Sequence, residues 1–131
     1  MNLLFKINTK LTSEQVADLF SRSGINRPVN DLPRIQKMID NANLTISVWD
    51  KDNLVGIARS LTDFCYCCYL SDLAVDKKYQ KKGIGKELIK RTKKEISDKS
   101  MLLLLSAPTA MEYYPKVNFI KSESAFIMNR K

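Results

Sequence analysis

The chain has 131 residues, 22 Lys and Arg against 14 Asp and Glu, a formal charge of +8 and no histidine. That length suits one domain, 1–131, with a real core. The missing histidine excludes a histidine base or a histidine-activated nucleophile. The positive charge suits an anionic partner, such as a phosphorylated cofactor, a nucleic acid or an anionic membrane, or lysines that simply coat one helix.

Residues Asn2 to Asn8 alternate loosely and predict a first strand. Thr12-Ser-Glu-Gln15 fits a capping box, with Thr12 as N-cap. Val16, Leu19 and Phe20 form the buried face of the helix that follows, and Gly24 suits its C-terminal stop. Arg27 lies in the next loop and reads as a solvated arginine, with an anion contact as the alternative. A second helix starts near Asp31-Leu32-Pro33, with Leu32, Ile35, Met38 and Ile39 as its apolar stripe. Leu44 to Trp49 and Leu54 to Thr62 read as a hairpin closed by a polar turn at Asp50–Asn53. Gly56 marks a bulge or a close approach. Thr62-Asp63 reads as a turn. Phe64 to Val75 reads as a long third strand, with Cys65, Cys67 and Cys68 as small strand residues. With no histidine and no fourth cysteine, these three do not complete a tetrahedral metal site, and no metal is expected.

Asp76 to Lys82 is a polar, basic loop. From Gly83 the apolar residues Ile84, Leu88, Ile89 and Ile96 fall at helical spacing. Met101 to Ser106 is a short apolar run that suits a strand buried on both faces. Pro108 can open a short helix that Pro115 ends. Phe119–Lys121 and Ala125–Met128 can pair as a last hairpin. This mixed order predicts an α/β (α+β) fold, a central sheet with helices on both faces. Met1-Asn-Leu-Leu-Phe lacks the basic start of a signal peptide, and no apolar run is long enough to span a bilayer, so a cytoplasmic protein is expected.

The strand–loop–helix unit at Leu70–Ile96 carries the chemistry. The first N–H groups of a helix are unpaired and lie at the positive end of its dipole. Glycines there let a phosphate approach the backbone. A Walker A loop is excluded, because Glu87 follows Lys86. A dinucleotide fingerprint is excluded, because Leu88 stands where the third small residue is needed. What remains, Gln80-x-x-Gly83-x-Gly85 after Leu73-Ala74-Val75, resembles the acetyl-CoA motif of the GNAT family of N-acetyltransferases. Ala110-x-x-Tyr113-Tyr114-x-Lys116-x-Asn118-Phe119 is similar to that family's C-terminal motif. Asn118 takes the place of a glycine and tolerates positive φ. Pro115 departs from the family's Glu, and Ala107 from an Asn common in the family.

The resemblance implies the acyl-CoA N-acyltransferase fold, whose mixed, mostly antiparallel sheet is V-shaped and splays to admit the pantetheine arm. It implies acetyl transfer from acetyl-CoA to a primary amine of a small molecule or peptide. Leu73, Ala74 and Val75 would pair with pantetheine, and the Val75 N–H would face the developing oxyanion. Gln80, Lys81, Lys82, Gly83, Ile84, Gly85 and Lys86 would hold the pyrophosphate. Tyr114 would be the general acid and Asp72, beside Tyr69, the candidate base. Arg59 and Asp63 fall near the family's acceptor site. A homodimer is possible, and neither nucleic acid nor membrane is expected as a partner. The alternatives are an acetyl-CoA sensor without turnover and a basic nucleic-acid-binding module.

Overall fold

In the computed structural model, which describes residues 2–131, local signals set the helix ends. The Gln15 N–H donates to Thr12 Oγ1 at 3.1 Å and the Thr12 N–H to Gln15 Oε1 at 3.0 Å, which opens helix α1 (Ser13–Ser23). Gly24, at φ +83°, ends it by donating to the Phe20 carbonyl. Helix α2 (Leu32–Asp40) starts at Asp31, whose carboxylate accepts the Arg34 N–H at 3.2 Å, with Pro33 in its first turn. Helix α3 (Ile84–Ile96) follows the basic loop.

Five strands, β1 (Leu3–Ile7), β2 (Leu44–Asp50), β3 (Asn53–Thr62), β4 (Cys67–Val75) and β5 (Met101–Leu103), lie side by side in chain order. The first four are antiparallel neighbours, and β5 runs parallel to β4. On one face Ile84, Leu88, Ile89 and Ile96 of α3 pack over Ile46, Val48 and Ala58. On the other, Val16, Leu19 and Phe20 of α1 and Ile35 of α2 pack over Trp49 and Ile57. Each fully buried side chain of this size contributes about 1.5–3 kcal/mol of hydrophobic stabilisation. A Cβ at Gly56 would meet Leu88 and Val48 at 3.4 Å, so the expected close approach is that of α3 to the sheet.

Two bulges reassign faces along the strands. Val48 pairs with Gly56 and Trp49 with Leu54, which leaves Val55 unpaired. Arg59 pairs with Asp72 and Ser60 with Leu70, which leaves Ser71 unpaired. An extra residue inverts the alternation beyond it. Cys68 and Leu70 therefore face the α3 layer, whereas Ala74 faces α1 and α2.

The structure departs from the sequence expectations in three places. Phe64–Tyr66 form a turn instead of the start of β4, because the Asp63 carboxylate gathers the N–H groups of Cys65, Tyr66 and Cys67 within 3.0 Å and bends the chain. The strand at Met101–Ser106 is paired only to Leu103, and Met101 is 58% exposed, so it is an edge strand rather than one buried on both faces. The segments at 119–121 and 125–128 do not pair. The three-residue β5 offers a short template, and Ile120, Phe126 and Met128 are 92%, 97% and 97% exposed. Between β5 and this segment the expected short helix is two 3₁₀ turns, Pro108–Ala110 and Tyr114–Val117. The second ends on Asn118 at φ +74°, the conformation for which an asparagine suits that position.

Candidate active site

Strand β4 stays with β5 only from Cys67 to Tyr69, and beyond that point its outer edge has no strand neighbour. The Asp76 N–H donates to the Val55 carbonyl at 2.9 Å, which fixes the phase of the antiparallel ladder. Alternation then turns the backbone groups of Ala74 and Asp72 toward β3 and those of Leu73 and Val75 outward. Two outward carbonyls have side-chain partners. Val75 O accepts from Gln80 Nε2 at 2.8 Å, and Ser71 O accepts from Arg27 Nη2 at 2.7 Å. The N–H groups of Leu73 and Val75 and the Leu73 carbonyl therefore lie along an open gap. Of the three residues expected on this edge, Ala74 turns its backbone groups toward β3 instead.

The gap leads to the N-terminus of α3. Gly83 sits at φ +82° as its N-cap and Lys81 at φ +65° in the loop before it. The first bond of the helix runs from the Glu87 N–H to the Gly83 carbonyl, and no side chain caps the end. The N–H groups of Ile84, Gly85 and Lys86 thus point out of the helix, and nothing lies within 4 Å of where a Gly83 Cβ would be. Such an end can hold a phosphate. Lys81, Lys82 and Lys86 are exposed around it, whereas the Ile84 side chain is buried under α3. A Cβ at Gly85 would come 3.0 Å from the Tyr113 hydroxyl, so the glycine makes room for that ring. The Gln80 side chain braces the loop against β4 through its bond to Val75.

At the other end of the gap is a cavity of about 860 Å³ between β4, residues 104–108 and the α1–α2 loop. Tyr114 lines it, its ring edge-on to Tyr113 at 5.2 Å and to Phe119 at 5.5 Å. Among the described residues its hydroxyl has no hydrogen-bond partner. Burial pushes the Tyr114 phenol above its ordinary pKa, Tyr113 adds to the shift, and the Arg27 guanidinium opposes it. The tyrosine therefore keeps its proton well above neutral pH and stands ready as a donor to negative charge that develops beside it.

Asp72 does not present a free carboxylate. It is 0% exposed. Arg27 Nε donates to Oδ1 at 2.6 Å, and Arg59 Nε donates to Oδ2. Arg59 also bonds Ser71 Oγ at 3.1 Å and the Met38 carbonyl at 3.0 Å. The two arginines thus clamp the β4 bulge to the α1–α2 loop and to α2. A doubly bonded carboxylate under the cavity floor is poorly placed to take a proton from a water. Asp63, far from such a role, caps its own turn. Hydrogen bonds from the backbone N–H groups of Cys67, Cys65 and Tyr66 hold its carboxyl well below the usual range. The sequence suggested a solvated arginine or an anion contact at Arg27, and the structure gives it a partner within the protein, the Asp72 carboxylate. A strand aspartate buried among apolar residues demands cationic partners, but their identity depends on loops far away in the chain.

A family model described as an acetyltransferase (GNAT) domain matches residues 11–130. The chain belongs to the GNAT acetyltransferase family. It is 31% identical over 94 residues to an uncharacterized N-acetyltransferase from Prochlorococcus marinus, a match covering 67% of this chain and 51% of that protein. The chain thus spans about half the length of that relative. A protein of unknown function from methicillin-resistant Staphylococcus aureus, titled a probable acetyltransferase, superposes with a TM-score of 0.82 at 25% identity, over 98% of this chain and 99% of that one. An aminoglycoside N-acetyltransferase in complex with CoA superposes with a TM-score of 0.70 at 13% identity, over 99% and 95% of the two chains, a likeness of fold. The cavity lined by Tyr114 also takes in Leu73 of the open β4 edge, and the glycine loop lies outside its wall. Among the described residues no cluster of three acidic or cysteine side chains could hold a metal ion, and no helix is long and apolar enough to cross a membrane.

Proposed function

We propose that this GNAT domain transfers the acetyl group of acetyl-CoA to a primary amine by direct attack. The observation that carries the reading is the free β4 edge at Leu73 and Val75, which joins the uncapped N-terminus of α3 to Tyr114. The N–H groups of residues 84–86, with Lys81, Lys82 and Lys86, take the pyrophosphate. Leu73 and Val75 pair with the pantetheine amides as an added strand would. Gln80 and Gly85 shape the loop rather than bind through side chains.

Acetyl-CoA supplies an acetyl group activated as a thioester. The cavity holds the acceptor with its neutral nitrogen against the carbonyl carbon. The Val75 N–H donates to the carbonyl oxygen as it gains charge. As the new C–N bond forms and the C–S bond breaks, the Tyr114 hydroxyl gives its proton to the departing sulfur, and the tyrosine regains a proton from solvent. The proton lost by the amine leaves through water in the open cavity. With both oxygens held by arginine, Asp72 acts as a positioning residue and not as the base. The products are an N-acetylated amine and CoA.

A primary amine, a cytoplasmic location and a possible homodimer are parts of the same proposal. The CoA-bound neighbour acts on aminoglycosides, so these belong in an acceptor screen. Thermal unfolding with and without acetyl-CoA tests the donor, with a DNA duplex as control. Acetyl-CoA at 100 times its Kd should add about 2.7 kcal/mol of stability. A shift with DNA and none with acetyl-CoA would refute the reading in favour of a nucleic-acid module. Binding without CoA release toward any amine would leave a sensor.

A further inference from the structure

The cavity that faces Tyr114 is strongly unbalanced in charge. Arg27, Arg34, Arg59 and Arg130 all line it, and Asp72 is its one acidic residue. The formal sum over these groups is 4 − 1 = +3. Asp72 is consumed by Arg27 and Arg59, whose remaining bonds also go to the protein, at Asn26 O, Ser71 and Met38 O. Arg34 and Arg130 differ. Both are exposed, and among the described residues neither guanidinium has an acidic partner or a hydrogen bond. Their planar forks of donors are free.

The type of cation matters as well. Lysines crowd the loop and the outer face of α3, yet none lines the cavity. A guanidinium matches carboxylate and phosphate oxygens two at a time, which an ammonium cannot do. Apolar walls from Met38, Leu73 and Ile127 focus the field of these charges into the cavity. A polyamine brought here meets repulsion, whereas an amine with an anionic tail gains two free partners. The phosphate loop at 80–86 is not part of the cavity wall, so these arginines are separate from the groups that take the pyrophosphate.

We propose that the acceptor is an amine that also carries an anionic oxygen group, a carboxylate or a phosphate, held by Arg34 and Arg130. The inference rests on the transferase reading of the same site. Matched amines test it. Lysine is compared with cadaverine, its decarboxylated counterpart, and phosphoethanolamine with ethanolamine, each by CoA release. Spermidine is the polycationic probe. Calorimetric binding of the same amines to the protein–CoA complex gives a readout that needs no turnover.

The acid-bearing member of at least one pair should react with a kcat/KM about tenfold or more above its partner, the scale of one charge-assisted hydrogen bond. The pair with the larger ratio names the anionic group. Arg34→Gln and Arg130→Gln should each raise KM for that amine and leave the KM of its partner without the acid group and the Kd of acetyl-CoA unchanged. Equal or better turnover of cadaverine, ethanolamine and spermidine overturns the inference and leaves the transferase reading intact. Weaker acetyl-CoA binding in the two variants, with acceptor KM unmoved, also overturns it, since the arginines would then serve the donor. Preferential binding of an acid-bearing amine, lost in both variants and without CoA release toward any amine, would support the anion contact at Arg34 and Arg130 and overturn the acceptor role together with the transferase reading.

Discussion

Replacing Asp72 with Asn keeps the side chain's shape and removes its charge. Asp72 has no exposed surface, and its partner Arg59 is nearly as buried. The loss leaves the Arg59 guanidinium charged in the interior, and Asn accepts one of the two Nε bonds at most. Breaking a buried pair in this way costs about 3–5 kcal/mol. For a domain of this size each kcal/mol lowers the melting temperature by about 3–5 °C, so Asp72→Asn should melt about 9–25 °C lower. The assay is thermal unfolding by circular dichroism, together with CoA release at a temperature where the variant is folded. Removing the whole clamp tests the cause: Asp72→Leu with Arg59→Met and Arg27→Met should recover much of the loss, because the apolar set has no charge to desolvate. The reasoning fails if Asp72→Asn melts within about 3 °C of the parent, on the same conversion, and kcat nevertheless collapses. That outcome would restore Asp72 as the base, because a general base removed without structural damage costs roughly 10²–10⁴ in rate.

The other predictions concern the groove and the charged turns. Gly83→Ala places a Cβ at φ +82°, which costs about 1–2 kcal/mol of stability, and it should weaken acetyl-CoA binding, as read by calorimetry. Tyr114→Phe should lower kcat by roughly 10²-fold while the Kd of acetyl-CoA stays the same. Because the Tyr114 pKa is raised, the parent's activity should climb with pH as the amine deprotonates, without an early alkaline limb from the tyrosine. At Asp76 burial favours the neutral form, but the Lys78 N–H and the Arg22 guanidinium outweigh it and hold the pKa below its ordinary value. A depressed folded pKa gives stability that is complete above the unfolded value, near ~3.9, and is lost as pH falls through the folded one. The melting temperature should therefore drop below about pH 4, and Asp76→Asn should flatten part of that dependence.

What was legible in the residues was mainly local. The capping box at Thr12–Gln15, the stop at Gly24, the glycine loop before α3 and the tolerance of Asn118 for positive φ each involve groups within a few residues of one another. Short-range sterics and hydrogen bonds settle them before the chain folds. Apolar periodicity likewise placed three helices and most strands, because a face that must be buried repeats at the spacing of its element. Tertiary structure decided the rest. The single extra residue at Ser71 is invisible in composition, yet it sets which face Asp72 takes and which backbone groups of β4 look into the gap. The clamp joins Arg27, Arg59 and Asp72 across as many as 45 residues, and only the packed fold brings them together. Four arginines scattered from Arg27 to Arg130 converge on one cavity for the same reason. The expected terminal hairpin marks the limit of local reading: strand propensity at 119–128 is genuine, but a strand needs an edge to pair with, and β5 leaves the sheet after three residues.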